Sequence, residues 1–598
     1  MINPMIDPGA PCYGNSKLAM RRAFSTLSLP LACAAVLAFD PAPAQACGGT
    51  FCDTAPNSMP VDQTGENILF VLDGSSVEAH IQIQYDPDND AAKFAWVVPM
   101  TAIPDFEVGS EQLFQNVLNG TVPTYGFNNS FENCSFDESG DEAGSTFADV
   151  STDGGTEDTG TTGPEIVKQE VVGAFEIAVL QGGTVEGVMQ WLADNGYQQD
   201  PAAEPILAEY LAEGYLFVAL KLAMNTEVAE IHPIVLRYQG DESCVPLRLT
   251  RIAAVEDMDI RAFVLADGRA VPTNYRHVLV NPLKINWLQY ASNYKEVITL
   301  AVDAFGADGN AFVTEYAGAS NVVSQSGLYS NLWDAAPFAD LVMTPENTVD
   351  LLASQGLADC FGGQCGFNHP MLQPLMDKYL PVPMGVAPED FYGCLSCYAG
   401  LIDQNAWNAA EFSAALDERI FQPGMHAQTL LQSWSYITRM YTTISPSEMI
   451  ADPIFHINPD LPTVPASRMG NLLTYCNGEG LFTLPDGRQV NLPNTNTWPD
   501  FGDEMPWEED VELAAMTGPN QVIVDQTELI DELLAAWNAA HPHADGGTDT
   551  TDGADDVGPG ADGDGGCGCT SDEGQGSGGA AWALLALAGL GLVRRRKD

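Results

Sequence analysis

Asn67-Ile-Leu-Phe-Val-Leu72, Asp73-Gly-Ser-Ser76 and Val77-Glu-Ala-His-Ile-Gln-Ile-Gln-Tyr85 are consecutive, and their reading decides the fold class. Two β-rich runs flank a four-residue turn led by Asp-Gly, a strong hairpin signal. In the second run apolar and polar residues alternate, which places them on opposite faces of a strand. Lys93-Phe-Ala-Trp-Val-Val-Pro99 predicts a third strand, reached through an acidic turn at residues 86–90. Ser110 then caps a short helix that carries Leu113, Phe114 and Val117 on one face. Farther along, residues 166–180 and 215–223 read as strands, with a helix at 185–194 between them. Strand patterns continue at 235–237, 247–252, 261–265 and 277–280. From about Trp287 apolar residues fall at helical spacing, at 294–305, 372–379, 409–416 and 427–441. No repeat of fixed period is present. A strand-rich N-terminal half and a helix-rich C-terminal half predict an α+β architecture rather than an alternating, doubly wound one.

The chain has 598 residues, too many for one ordinary core, and its 45% hydrophobic and 9% aromatic content is ample for a packed interior. The expected organisation starts with a signal peptide at 1–46, with Met20 as an alternative start. A strand-rich part follows at 47–136, an acidic linker or loop at 137–165, a strand-rich continuation at 166–285 and a helix-rich part at 286–543. An acidic, Gly-rich linker with a Cys motif spans 544–575, and a transmembrane sorting tail spans 576–598. The formal net charge of −58 repels nucleic acid and anionic lipid, so both are poor partners. The acidity reads first as solubility in a salty medium, and second as a capacity for divalent cations.

Both ends of the chain read as addresses. Arg21 and Arg22 open a positive stretch, residues 23–39 are mostly apolar, and Ala44-Gln45-Ala46 offers small residues at the positions a signal peptidase reads. Cleavage is expected between Ala46 and Cys47. A lipoprotein signal is the alternative, although Gln45 sits where such signals want a small or apolar residue. Near the other end Cys567-Gly568-Cys569 precedes an apolar run at 580–593 and the cluster Arg594-Arg595-Arg596-Lys597. This order resembles the MYXO-CTERM sorting tail. The resemblance implies a tail-processing membrane protease, removal of the apolar helix and display on the cell surface, with Cys567 and Cys569 as the processing residues. A plain C-terminal anchor is the other reading, and both tether the protein to a membrane.

Cysteines support the same compartment. In an exported chain they read first as disulfides. Close spacing suggests the local pairs Cys47–Cys52, Cys360–Cys365 and Cys394–Cys397, although connectivity does not follow from sequence. Two other readings stay open for the Cys360–Cys397 cluster. One is a four-cysteine zinc site; the other is a redox pair at Cys394-Leu395-Ser396-Cys397.

Signatures of known chemistry are scarce. The eight His show no metal-protease spacing, and no nucleophile elbow, phosphate loop or dinucleotide fingerprint is present. His80, mid-strand beside apolar neighbours, reads as structural. A cofactor is not expected, with calcium the one candidate. Asp86, Asp88 and Asp90 place three carboxylates on one side of a tight loop, as hard Ca²⁺ requires, and the bland reading of the same loop is a polar hairpin turn. A surface hydrolase working through two carboxylates is a further alternative, since acid–base pairs leave no spacing signature.

The start Cys47-Gly-Gly-Thr-Phe-Cys52 resembles the opening of a bacterial domain-of-unknown-function family of exported proteins. The likeness continues through Pro60-Val-Asp-Gln-Thr-Gly-Glu66, Ala79-His-Ile-Gln-Ile-Gln-Tyr85 and Phe94-Ala-Trp-Val-Val-Pro99, and thins until Thr438-Arg-Met-Tyr-Thr-Thr443. Relative to that pattern the acidic segment 137–165 is an insertion. The resemblance implies an exported envelope protein and transfers no catalytic residue. The expectation is therefore an exported, surface-tethered structural, adhesion or interaction module of the envelope, more a binding protein than an enzyme.

Overall fold

The computed structural model describes residues 63–85, 95–132, 164–197, 201–223, 230–240 and 243–543. The hairpin forms where the sequence places it. Strand β1 (Gln63–Leu72) pairs antiparallel with β2 (Ser76–Tyr85). Asp73 Oδ1 accepts from the backbone N–H groups of Ser75 at 3.0 Å and Ser76 at 2.7 Å, and Gly74 takes the φ of +85° that closes the turn.

Eight further strands join this pair: β3 (Asp105–Val108), β4 (Ile234–Gln239), β5 (Ala254–Ala266), β6 (Arg276–Val280), β7 (Ala311–Ala319), β8 (Tyr436–Ile444), β9 (Glu508–Leu513) and β10 (Gln521–Asp525). The sheet order is β10-β9-β6-β7-β8-β5-β1-β2-β4-β3. Pairing is antiparallel except for β1 with β5 and β6 with β7. One side of this sheet presents Ile68, Phe70, Ala79 and Ile81 to Trp96, Val98, Ile177 and Val218. The latter belong to a four-stranded sheet built from Ala95–Met100, Leu216–Leu222, Phe175–Gln181 and Glu165–Val172. Its own outer side packs on the helices Val185–Asp194 and Ala203–Glu213 through Val188, Leu192, Ile206 and Leu207. Each of these fully buried side chains contributes about 1.5–3 kcal/mol.

The other side of the large sheet is covered by helices. Leu69, Val71, Phe263 and Leu265 meet Leu113, Phe114 and Val117 of α1 (Glu111–Thr121) and Ala427, Leu430 and Leu431 of a second helix (Gln422–Ser433). Ser110 Oγ accepts from Leu113 N at 3.2 Å, the expected N-cap. The second helix continues out of Ala409–Leu416 (α2) through a π-turn, Asp417–Phe421, and is α3 below. The class is α+β, as expected, and four layers result: helices, small sheet, large sheet, helices.

Ahead of α3 a helical lobe is organised around Phe338, Leu352, Leu372, Leu375, Phe391 and Phe412. Two disulfides lie in it, Cys360–Cys365 within a short hairpin and Cys394–Cys397 at the start of a 3₁₀ helix, Leu395–Leu401. The expected local pairing therefore holds for these four residues. The Cys394–Cys397 pair lies where two short helical segments, Pro388–Gly393 and Leu395–Leu401, meet. The four cysteines are joined as two separate local pairs. Their loops, with sequence separations of 5 and 3, contribute about 2 kcal/mol each on a chain-entropy basis. Cys476 is disulfide-bonded as well. Cys47 and Cys52 lie outside the described residues, as do Ala46, Cys567 and Cys569.

Two local expectations are corrected. Residues 427–441 are not one helix: α3 stops at Ser433 and the chain turns at Trp434 into the buried strand β8. Residues 247–252 are a short helical turn, Leu247–Thr250, rather than a strand. Helices concentrate between Tyr294 and Ser433, after which strands return to complete the large sheet.

Candidate functional site

Two features meet at the π-turn and α3. The first is an open groove of about 440 Å³ on the helical lobe. Its aromatic wall is Tyr329, Trp333 and Phe421, with Trp333 stacked on Phe421 (ring centroids 5.3 Å apart, 29° between planes) and Tyr329 edge-on to Trp333 at 5.9 Å. Asp334, Asp417 and Gln422 supply polar groups, and Gln422 Nε2 donates to Asp417 Oδ1 at 3.2 Å. The π-turn widens the helix here and sets Asp417 and Phe421 along the groove, a placement typical of functional π-bulges.

The second feature lies on the sheet-facing side of α3. Met425 lines the groove, while the next residue, His426, reaches the sheet. On β2, Glu78 and His80 are two apart and project from the same face. Glu78 Oε1 lies 2.6 Å from His80 Nε2 and 2.5 Å from His426 Nε2. The two imidazoles stack with centroids 5.9 Å apart and 6° between planes. Arg237, directly opposite Glu78 on β4, donates from Nε to Glu78 Oε2 at 2.7 Å and from Nη1 to Glu107 Oε1 on β3. Burial alone would push the Glu78 carboxyl up, but His426, His80 and Arg237 outweigh it and hold Glu78 far below the carboxylate range. Burial pushes the His80 imidazole down, against the pull of Glu78. Beside them Gln82 donates to both Glu111 oxygens at 2.8 Å, fixing the first turn of α1 on the same face.

His80 is thus not an isolated core residue; it belongs to a polar cluster, and its Nδ1 has no partner among the described residues. The sequence singles out His80 but carries no signal that joins it to His426, because Glu78 and His426 are 348 positions apart. The aromatic groove also went unforeseen. Its residues come from three separate segments, and each alone reads as ordinary core. The calcium candidates Asp86, Asp88 and Asp90 lie outside the described residues.

Carboxyls with raised pKa, which the hydrolase alternative needs, exist elsewhere. Asp303 is pushed up to about 6 by burial and by Glu448 and Asp257. Asp510 is pushed up to about 6 by burial and by Asp525, directly opposite on β10. Neither lines the aromatic groove. For Asp510 the sign is definite. Its folded pKa lies above the ordinary aspartate value of 3.8, so the folded state binds more protons between those limits and loses stability as pH rises through 6. Asp510→Asn is expected to stabilise the protein at pH 7.5, with the gain fading by pH 4.5; urea midpoints at the two pH values check this.

The family model described as "Uncharacterized protein conserved in bacteria (DUF2330)" matches residues 41–335. The segment that is similar to this family, a little under half of the chain, supplies β1 to β7 and with them Glu78, His80, Glu107 and Arg237. The match stops at Ala335, where the helical lobe begins, so the π-turn and His426 lie beyond it. No curated protein and no solved structure gave a match.

Proposed function

We propose that this is an exported, surface-tethered interaction protein of the bacterial envelope that recognises its partner through the aromatic groove. The observation that carries the recognition role is the groove itself: half-buried Tyr329 and Trp333, the latter stacked on the buried Phe421, with carboxylate and amide groups beside them, the composition of a binding surface. The oxidised pairs Cys360–Cys365 and Cys394–Cys397 support maturation outside the cytosol. Among the described residues no helix is long and apolar enough to cross a membrane. Tethering is assigned to the tail at 576–598, which lies outside those residues.

Ala410 is exposed on α2 and lines the groove. Ala410→Arg fills the groove with a long side chain on a helix position that tolerates it, so stability should change by less than about 0.5 kcal/mol. Labelled mature protein is expected to bind saturably to envelopes of cells lacking it, and A410R to bind at least about tenfold more weakly. Equal binding by both proteins would remove the groove from the function.

A further inference from the structure

We propose that Glu78, His80 and His426 form a binding site for one zinc-class divalent transition metal ion. Their three candidate ligand atoms, one carboxylate oxygen and two imidazole nitrogens, all lie within 4.8 Å of one another. Two come from adjacent same-face positions of β2, and the third comes from α3 across the layer boundary. Two imidazoles and a carboxylate make up the protein ligand set of open, three-ligand zinc sites, with a fourth position left for water.

The metal-free contacts do not satisfy one another, and this is the strongest argument. His426 Nε2 lies 2.5 Å from Glu78 Oε1, a contact that requires an N–H. The same nitrogen lies 2.9 Å from Arg237 Nη2, a contact that requires a lone pair. One imidazole nitrogen cannot be donor and acceptor at once. A cation between the three ligand atoms would take up both imidazole lone pairs and Oε1, and Arg237 Nη2 would have to release His426 Nε2 as the ion enters. Arg237 keeps Glu78 Oε2 and Glu107, and so orients Glu78 as a one-oxygen ligand.

Geometry allows it with a small adjustment. Metal–ligand bonds of about 2.0–2.1 Å in a tetrahedron separate the ligand atoms by about 3.3 Å, so the cluster must open by roughly 0.8 Å. The His426 side chain is 30% exposed and the Arg237 side chain 31%. His80 is fixed in the sheet at 1%. Opening therefore falls on the Glu78 carboxylate, which must draw back from His80, and on His426, whose exposure also supplies the entry path.

The test uses the full mature protein, stripped with a chelator and titrated with Zn²⁺ by calorimetry and with Co²⁺ by visible absorption at pH 7.5. One tight equivalent is expected, with the intense d–d bands of a tetrahedral cobalt site. His426→Gln and Glu78→Gln should each weaken that equivalent by at least about tenfold, and H426Q, altered at a half-exposed position, should keep the wild-type Tm in chelator. The absence of a tight equivalent, weak octahedral cobalt bands in the wild-type protein, or tight binding that persists in H426Q would each overturn the site. The last result would place the ion on the acidic surface. A410R should bind zinc as the wild type does, so failure of the groove reading and failure of the metal site are distinguishable.

Discussion

Replacing Arg439 by Met is expected to cost the fold about 3–5 kcal/mol, because it strands a buried carboxylate. Arg439 sits in the middle of β8 with its side chain 5% exposed, and its Nε donates to Glu315 Oε2, whose side chain is 2% exposed. Glu315 occupies a register shift between Thr314 and Tyr316 on β7, the irregularity that turns its carboxylate toward Arg439. Tyr294 OH donates to the other carboxylate oxygen at 2.8 Å. Arg439 Nη1 donates at 3.1 Å to the carbonyl of Leu118, near the C-terminal end of α1, so the guanidinium also ties that helix to the sheet. Met matches the length of the Arg stem, so the loss isolates the charge. The double variant Arg439→Met with Glu315→Leu should recover most of it, since removing both charges leaves neither unpaired. Urea midpoints of the two variants measure this. A single substitution that costs less than about 1 kcal/mol would mean that the pair is solvated rather than buried.

Gly424→Ala is the second large effect. In isolation the change favours α3 by about 1 kcal/mol, because Ala is the better helix former. Sterics decide the other way. A Cβ on Gly424 would lie 1.8 Å from the carbonyl oxygen of Leu328, a backbone atom that cannot swing aside. Overpacking of this kind costs about 3 kcal/mol or more, so a net loss of about 2 kcal/mol is expected, with α3 displaced from the sheet. His426 lies two residues on, so the polar cluster should open together with the helix. A lowered Tm checks the prediction, and a raised one would show that α3 is not seated against the 328 segment.

What could be read from the sequence follows from how local each signal is. The hairpin at 67–85 and the Ser110-capped helix rest on turn and cap residues adjacent to the elements they start, and both form as read. β8 was hidden because apolar residues at 427–441 keep helical spacing straight through Trp434. The β-branched residues Ile437, Thr438, Thr442 and Thr443 were the available signal for a strand. Within the motif at 438–443 the buried Arg439–Glu315 pair gives Arg439 a physical purpose. The 247–252 segment looked extended by its apolar content, but Pro246 accepts at its carbonyl from Thr250 N at 3.3 Å and the chain coils instead. The candidate site was legible only in part. Glu78 and His80 declare a shared strand face, while Arg237, His426, Trp333 and Phe421 are brought to their places by sheet order and helix docking, which no local pattern encodes.

The most direct measurement on the central claim is the intact mass of the protein purified from its native envelope, with and without reduction and alkylation. The account predicts a chain that starts at Cys47, ends near Cys567–Cys569, and gains alkyl groups at Cys360, Cys365, Cys394 and Cys397 only after reduction. A mass that retains Arg594 to Asp598, or alkylation of those four cysteines without reductant, would contradict it.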